Sequence, residues 1–101
     1  METETADDPL ETTRDPLGRT VHLTRERWEH IAYGHSPVAA LRAQVMRAVR
    51  EPTTWTEEKR PGEGWFYLED VGPSRWLKVV VAYDDKSVGN VITAFPRRRH
   101  P

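Results

Sequence analysis

The chain has 101 residues, no cysteine and a formal net charge of −1 at pH 7. That length suits one domain, and the missing cysteines exclude a disulfide scaffold, a thiolate metal site and a thiol nucleophile. No apolar run approaches the roughly 18 residues of a membrane span, and the acidic start METETADDPLETT lacks the basic segment of a signal peptide, so a cytoplasmic protein with no membrane partner is expected.

Charge is unevenly spread. Residues 1–15 hold six acids and one base, whereas the other 86 carry 14 bases against 10 acids. The first 15 residues are polar and without hydrophobic period, which predicts a disordered acidic tail, with a single domain over 16–101. Asp15-Pro16-Leu17-Gly18 is turn chemistry. Arg19 to Leu23 alternates polar and apolar residues and suits a short edge strand. Thr24 is a good N-cap for a helix over about Arg25–Tyr33, with Trp28, Ile31 and Ala32 on one face and Gly34 past its end. Ser36-Pro37 reads as N-cap and N1 proline of a second helix over Pro37–Arg50, its stripe formed by Val38, Leu41, Val45, Ala48 and Val49. The period then changes to two. Strands are predicted at Thr53–Thr56, Trp65–Glu69, Arg75–Tyr83 and Val88–Phe95, separated by Gly-, Pro- and Asp-rich turns. The expected architecture is α+β: a short N-terminal strand, two helices, then a four-stranded antiparallel meander.

The opening GRTVHLTRERWEHIAYGHSP, the LKVVVAYDD strand and the terminal VITAFP together resemble the phage-associated barnase/EndoU/colicin/RelE-like nuclease domains. The resemblance covers about residues 16–96. It departs from the family where the second histidine, usually followed by Pro-Glu, is followed here by Ser36-Pro37. It implies a RelE/barnase-like fold, a metal-independent endoribonuclease of toxin type, and a neutralising antitoxin or immunity protein.

Metal-free RNA cleavage through the 2′-OH needs a base, an acid and donors for the phosphate. Histidine suits the proton transfers, while Lys, Arg and hydroxyl groups suit the charge. His30 and His35, on either side of Gly34, are the proton-transfer candidates. Strand parity sets Leu77, Val79, Val81 and Tyr83 toward the helices and Trp76, Lys78, Val80 and Ala82 on the other face. Lys78 is thus a candidate phosphate cation, and Thr93 shares its face if Ile92 and Ala94 point inward. Arg97, Arg98, Arg99 and Tyr83 are candidates for RNA or phosphate contact, and Trp65 or Tyr67 for stacking on a base.

Each residue also has a plainer role: packed or capping histidines, a solvent-facing lysine, a threonine chosen for β-propensity, a solvated basic tail. No metal or other cofactor is expected, since neither an HExxH pattern nor a cysteine is present. Beside the ribonuclease reading stands a catalytically inactive RNA- or protein-binding module of the same fold. A further expectation is that residues 1–15 fold back over the basic face.

Overall fold

Alternation of apolar and polar residues along TVHLT, EGWFYLE and WLKVVVAY resolves into strands whose successive side chains leave opposite faces of a sheet. The computed structural model describes residues 9–34, 38–57, 60–71 and 75–98. Among these the chain order is β1 (Pro9–Arg14), β2 (Thr20–Thr24), α1 (Arg25–Gly34), α2 (Arg42–Arg50), β3 (Thr54–Glu57), β4 (Glu63–Glu69), β5 (Trp76–Tyr83) and β6 (Gly89–Arg97). The strands form one six-stranded sheet in the order β1-β2-β6-β5-β4-β3. Neighbours are antiparallel except β2 and β6, which run parallel. No helix among the described residues is long and apolar enough to cross a membrane.

This sheet corrects the expected four-stranded antiparallel meander. β3 to β6 do form a meander, but β6 then pairs with β2, Val21 beside Gly89 and His22 beside Asn90. The α+β class stands, while the sheet is mixed and β2 is internal rather than an edge. Parallel pairing between the first and last parts of a chain leaves no local trace in sequence. A second correction concerns the N-terminus. Residues 9–14, expected within a disordered tail, form β1, with Thr12 opposite His22 and Thr13 opposite Val21. Backbone pairing to β2 holds this strand more than burial does, so it carries no hydrophobic period to read.

The helices lie on one face of the sheet. Thr24 caps α1 as expected, its Oγ1 accepting the Arg27 N–H at 3.2 Å. α2 begins at Arg42 rather than Pro37, because Val38–Leu41 closes a separate turn with the Leu41 N–H on the Val38 carbonyl at 2.8 Å. The predicted cap at Ser36-Pro37 lies outside the described residues. Val38 is nevertheless fully buried, as are Val45, Ala48 and Val49 from the predicted stripe. These meet Val21, Leu23, Phe66, Leu77, Val79 and Val81 from the sheet. Full burial of each larger apolar side chain is worth roughly 1.5–3 kcal/mol before the entropy of ordering the chain is set against it. Trp55 extends the core on β3 by stacking on Phe66, with ring centroids 6.0 Å apart.

One irregularity in β6 decides which residues face away from the helices. Val80 pairs with Thr93 and Val81 with Val91, leaving Ile92 as the extra residue of a bulge. Val91 and Ala94 therefore both enter the core, while Thr93 turns to the opposite face. Strict alternation would have set Val91 and Thr93 on the same side.

Candidate nucleic-acid interface

The sheet face away from the helices is built in cross-strand rows. Thr56, Trp65, Val80 and Thr93 form one row, and Thr54, Tyr67, Lys78 and Phe95 the next. Glu69, Trp76 and Arg97 form the third. Lys78, at the middle of the sheet, is only 8% exposed. Its Nζ lies 3.6 Å from the Trp65 ring centroid and 5.6 Å from those of Tyr67 and Phe95. A buried ammonium needs compensation for lost hydration, and ring quadrupoles supply part of it, about 2 kcal/mol for a well-desolvated contact.

Trp65 and Phe95 are half-buried. The Trp65 indole is steadied by its Nε1–H, which donates to Glu63 Oε1 at 3.1 Å. The Arg97 guanidinium lies 6.0 Å from the Tyr67 ring centroid. Burial pushes the Tyr67 phenol above its ordinary range, and Arg97, by its charge and a hydrogen bond to the phenol, partly opposes this. Toward β1 the face becomes polar: His22 Nδ1 and Thr12 Oγ1 share a hydrogen bond at 2.9 Å, with Asn90 beside His22 in the next strand.

The candidates named from sequence divide between the two layers. Lys78, Thr93 and Arg97 come together on this face, and Arg98 follows Arg97 exposed at the end of the strand. His30 is exposed on α1, in the helical layer on the far side of the sheet. His35 and Arg99 lie outside the described residues. Lys78 is no freely exposed phosphate cation, because aromatic rings surround it. Trp65, Phe95 and His22 belong to the face as well. Trp65 was legible as a stacking candidate, and Phe95 by its even spacing from Thr93. His22 needed the β1–β2–β6 pairing, which sequence did not reveal.

Tyr83 requires a correction. Its hydroxyl donates to Asp15 Oδ2 at 2.7 Å, and the Arg19 guanidinium covers its ring at 3.8 Å from the centroid. Asp15 also accepts the Arg19 Nε–H at 2.6 Å and the backbone N–H groups of Leu17 and Arg19 at 2.9 Å. The Tyr83 ring lies over Gly64 and Gly89. A Cβ at Gly89 would meet Tyr83 Cε1 at 2.8 Å, and one at Gly64 would meet Cε2 at 3.1 Å. Tyr83 is a clasp between the β1–β2 turn and the middle strands, with its polar atom and ring face already engaged. Burial drives its phenol far above the ordinary value, and the Asp15 hydrogen bond adds to this. The fold-back of the acidic segment is corrected in part: β1 keeps residues 9–14 paired at the sheet edge, two strands from β6.

On the helical side, a shallow cleft of about 340 Å³ is lined by Glu11, Trp28, Ala39, Ala40, Arg42 and Ala43. Glu11 and Arg42 form an ion pair beside it at 2.9 Å. Comparison with family models, with curated proteins and with solved structures finds no match.

Proposed function

We propose that this chain is an RNA-binding domain that holds single-stranded RNA on the sheet face away from the helices. What carries the reading is one observation: Trp65, Tyr67 and Phe95 surround Lys78 on adjacent strands, with Arg97 against Tyr67. Aromatic rings on a sheet take unstacked bases, each stack being worth about 1–3 kcal/mol, and cations track the backbone between them. Arg97 and Arg98 continue the face toward its end and supply phosphate contacts. A cysteine-free chain suits the cytoplasm, where such RNA is found.

Binding is favoured over cleavage because the described candidates for cleavage are split. Proton transfer to and from a 2′-OH needs a group within hydrogen-bond reach, and His30 stands in the other layer from Lys78 and Thr93.

The test is fluorescence anisotropy with a labelled single-stranded RNA of about eight nucleotides, in EDTA, followed by electrophoresis of the same RNA. Expected is salt-dependent binding, weakened about tenfold or more by Trp65→Ala or Phe95→Ala, with the RNA left intact. Binding that survives both changes would move the site elsewhere. Cleavage in EDTA that is lost in His30→Ala or His35→Ala would restore the ribonuclease reading.

A further inference from the structure

We propose that the outer face of the helical layer docks a second copy of this chain, α1 of each protomer lying antiparallel along α2 of its partner. Tyr33, in the last turn of α1, is 94% exposed. A ring left almost wholly in water gains nothing from burial in the free chain, and tyrosine is among the residues that anchor protein interfaces. It completes a stripe of exposed residues along one side of α1, namely Glu26, Glu29 and Tyr33. α2 carries an exposed stripe of its own, Ala43, Arg47 and Arg50.

The two stripes are complementary when run in opposite directions. Steps of three and then four residues lead from Glu26 to Glu29 to Tyr33, and the same steps lead back from Arg50 to Arg47 to Ala43. Antiparallel docking therefore sets Glu26 against Arg50, Glu29 against Arg47 and Tyr33 against Ala43 in one register. Parallel docking would instead set Glu26 against Ala43 and Tyr33 against Arg50. The charges are available for this. Glu26, Glu29 and Arg47 enter no ion pair with a described residue, and Arg50 has only an exposed contact with Glu51 at 3.9 Å.

The register also gives the Tyr33 ring somewhere to go. Ala43 lines the cleft of about 340 Å³ together with Ala39, Ala40 and Trp28. The alanine methyl groups leave room for a phenol, and the half-buried Trp28 offers an aromatic neighbour. Glu11 at the rim gives Oε2 to Arg42 and keeps Oε1 to accept the phenol O–H. About a two-fold axis the contact is isologous, so each pair forms twice. That doubling matters because one exposed ion pair contributes little. The sheet face proposed for RNA lies on the other side and stays open, and dimerisation does not depend on RNA binding.

Sedimentation equilibrium of the whole chain is run from about 1 μM to about 1 mM in low salt. Expected is a monomer–dimer equilibrium within that range, weakened by added salt and at least about tenfold by Tyr33→Ala. Glu29→Arg and Arg47→Glu each set like charges opposite one another, so each variant alone should be monomeric. Mixed in equal amounts they should form a heterodimer, since reversed charges then meet across one contact and native charges across the other. Glu29→Arg mixed with Arg50→Glu is out of register and should associate less. All these positions are exposed, so thermal melts should confirm that every variant is folded. A monomer at every concentration overturns the proposal, as does growth beyond a dimer. A dimer indifferent to Tyr33→Ala and to both reversals places the interface elsewhere, and a matched mixture that stays monomeric overturns the register.

Discussion

Asp15 shows how much a single buried carboxylate organises. It receives the Tyr83 hydroxyl, the Arg19 guanidinium and two backbone N–H groups, and so closes the β1–β2 turn onto the end of β5. Burial alone would raise its carboxyl, but these hydrogen bonds and the Arg19 charge prevail and hold it below the ordinary carboxylate value. A depressed carboxyl stabilises the fold fully above its unfolded pKa of about 3.9, and that contribution disappears as pH falls through the lower folded value. Urea midpoints should therefore drop as pH is lowered below about 4, and Asp15→Asn should be less stable at pH 7 with a flatter acid limb. A parallel acid limb in the two proteins would place the titrating groups elsewhere. Tyr83→Phe removes one hydrogen bond to this charge and should cost about 1.5–3 kcal/mol in chemical unfolding. Gly89 belongs to the same cluster. Its Cβ would sit 2.7 Å from Val81 Cγ1 and 2.8 Å from Tyr83 Cε1, so Gly89→Ala must displace the ring and should cost about 1–3 kcal/mol.

Among the elements, α1 and β6 carry the clearest consequences. Thr24 ends β2 and caps α1 with one side chain, and Thr24→Ala should cost about 1 kcal/mol of stability. β6 contains its bulge at Ile92. Deleting Ile92 would leave Val91 and Thr93 as successive residues of a regular strand, each still on its present face and opposite Val81 and Val80. Since only a one-residue slip exchanges the two faces, the deletion should keep a cooperative thermal melt, and loss of cooperativity would show that the bulge itself is needed. β5 explains why the strongest strand contains a lysine. It lies between β4 and β6, with the helices on one face and the rings of Trp65, Tyr67 and Phe95 crowding the other, so it reads as a nearly continuous apolar run, and Lys78 is accommodated where aromatic rings replace water.

At the scale of the molecule, the two faces of the sheet differ in composition. The helical layer buries the aliphatic core, and the opposite face is left to aromatic, cationic and hydroxyl side chains. On the proposed reading, substitutions at the half-buried Trp65, Phe95 and Arg97 should alter binding with little loss of the fold, whereas Tyr67, Trp76 and Lys78 are buried. Arg97→Ala should lower the slope of log affinity against log salt by about 1. The mixed sheet makes the N-terminal hairpin part of the structural unit. A chain starting at Asp15 would expose the β2 edge and lose the Glu11–Arg42 ion pair. Its melting temperature should fall by at least about 4–8 °C for each kcal/mol lost, and an unchanged value would show β1 to be dispensable.

The sequence by itself determined what depends on local patterning. Period-3.6 and period-2 stripes located both helices and β2 to β6 to within a few residues, Thr24 announced its cap, and the parity of β5 put Lys78 opposite the helices. The turn residues around positions 15–18, 62 and 84–87 marked where the chain reverses. Only the tertiary structure decided the rest. β1 is held by hydrogen bonds to another strand and carries no apolar period; the β2–β6 pairing joins residues about 70 apart in the chain. Whether a buried lysine is tolerable depends on which rings converge on it, and Trp65, Tyr67 and Phe95 come from two strands that flank it. His30 fell on the far side of the sheet from Lys78 for the same reason. Spacing along the chain tells which face of its own element a side chain occupies, whereas packing alone tells which elements share a face.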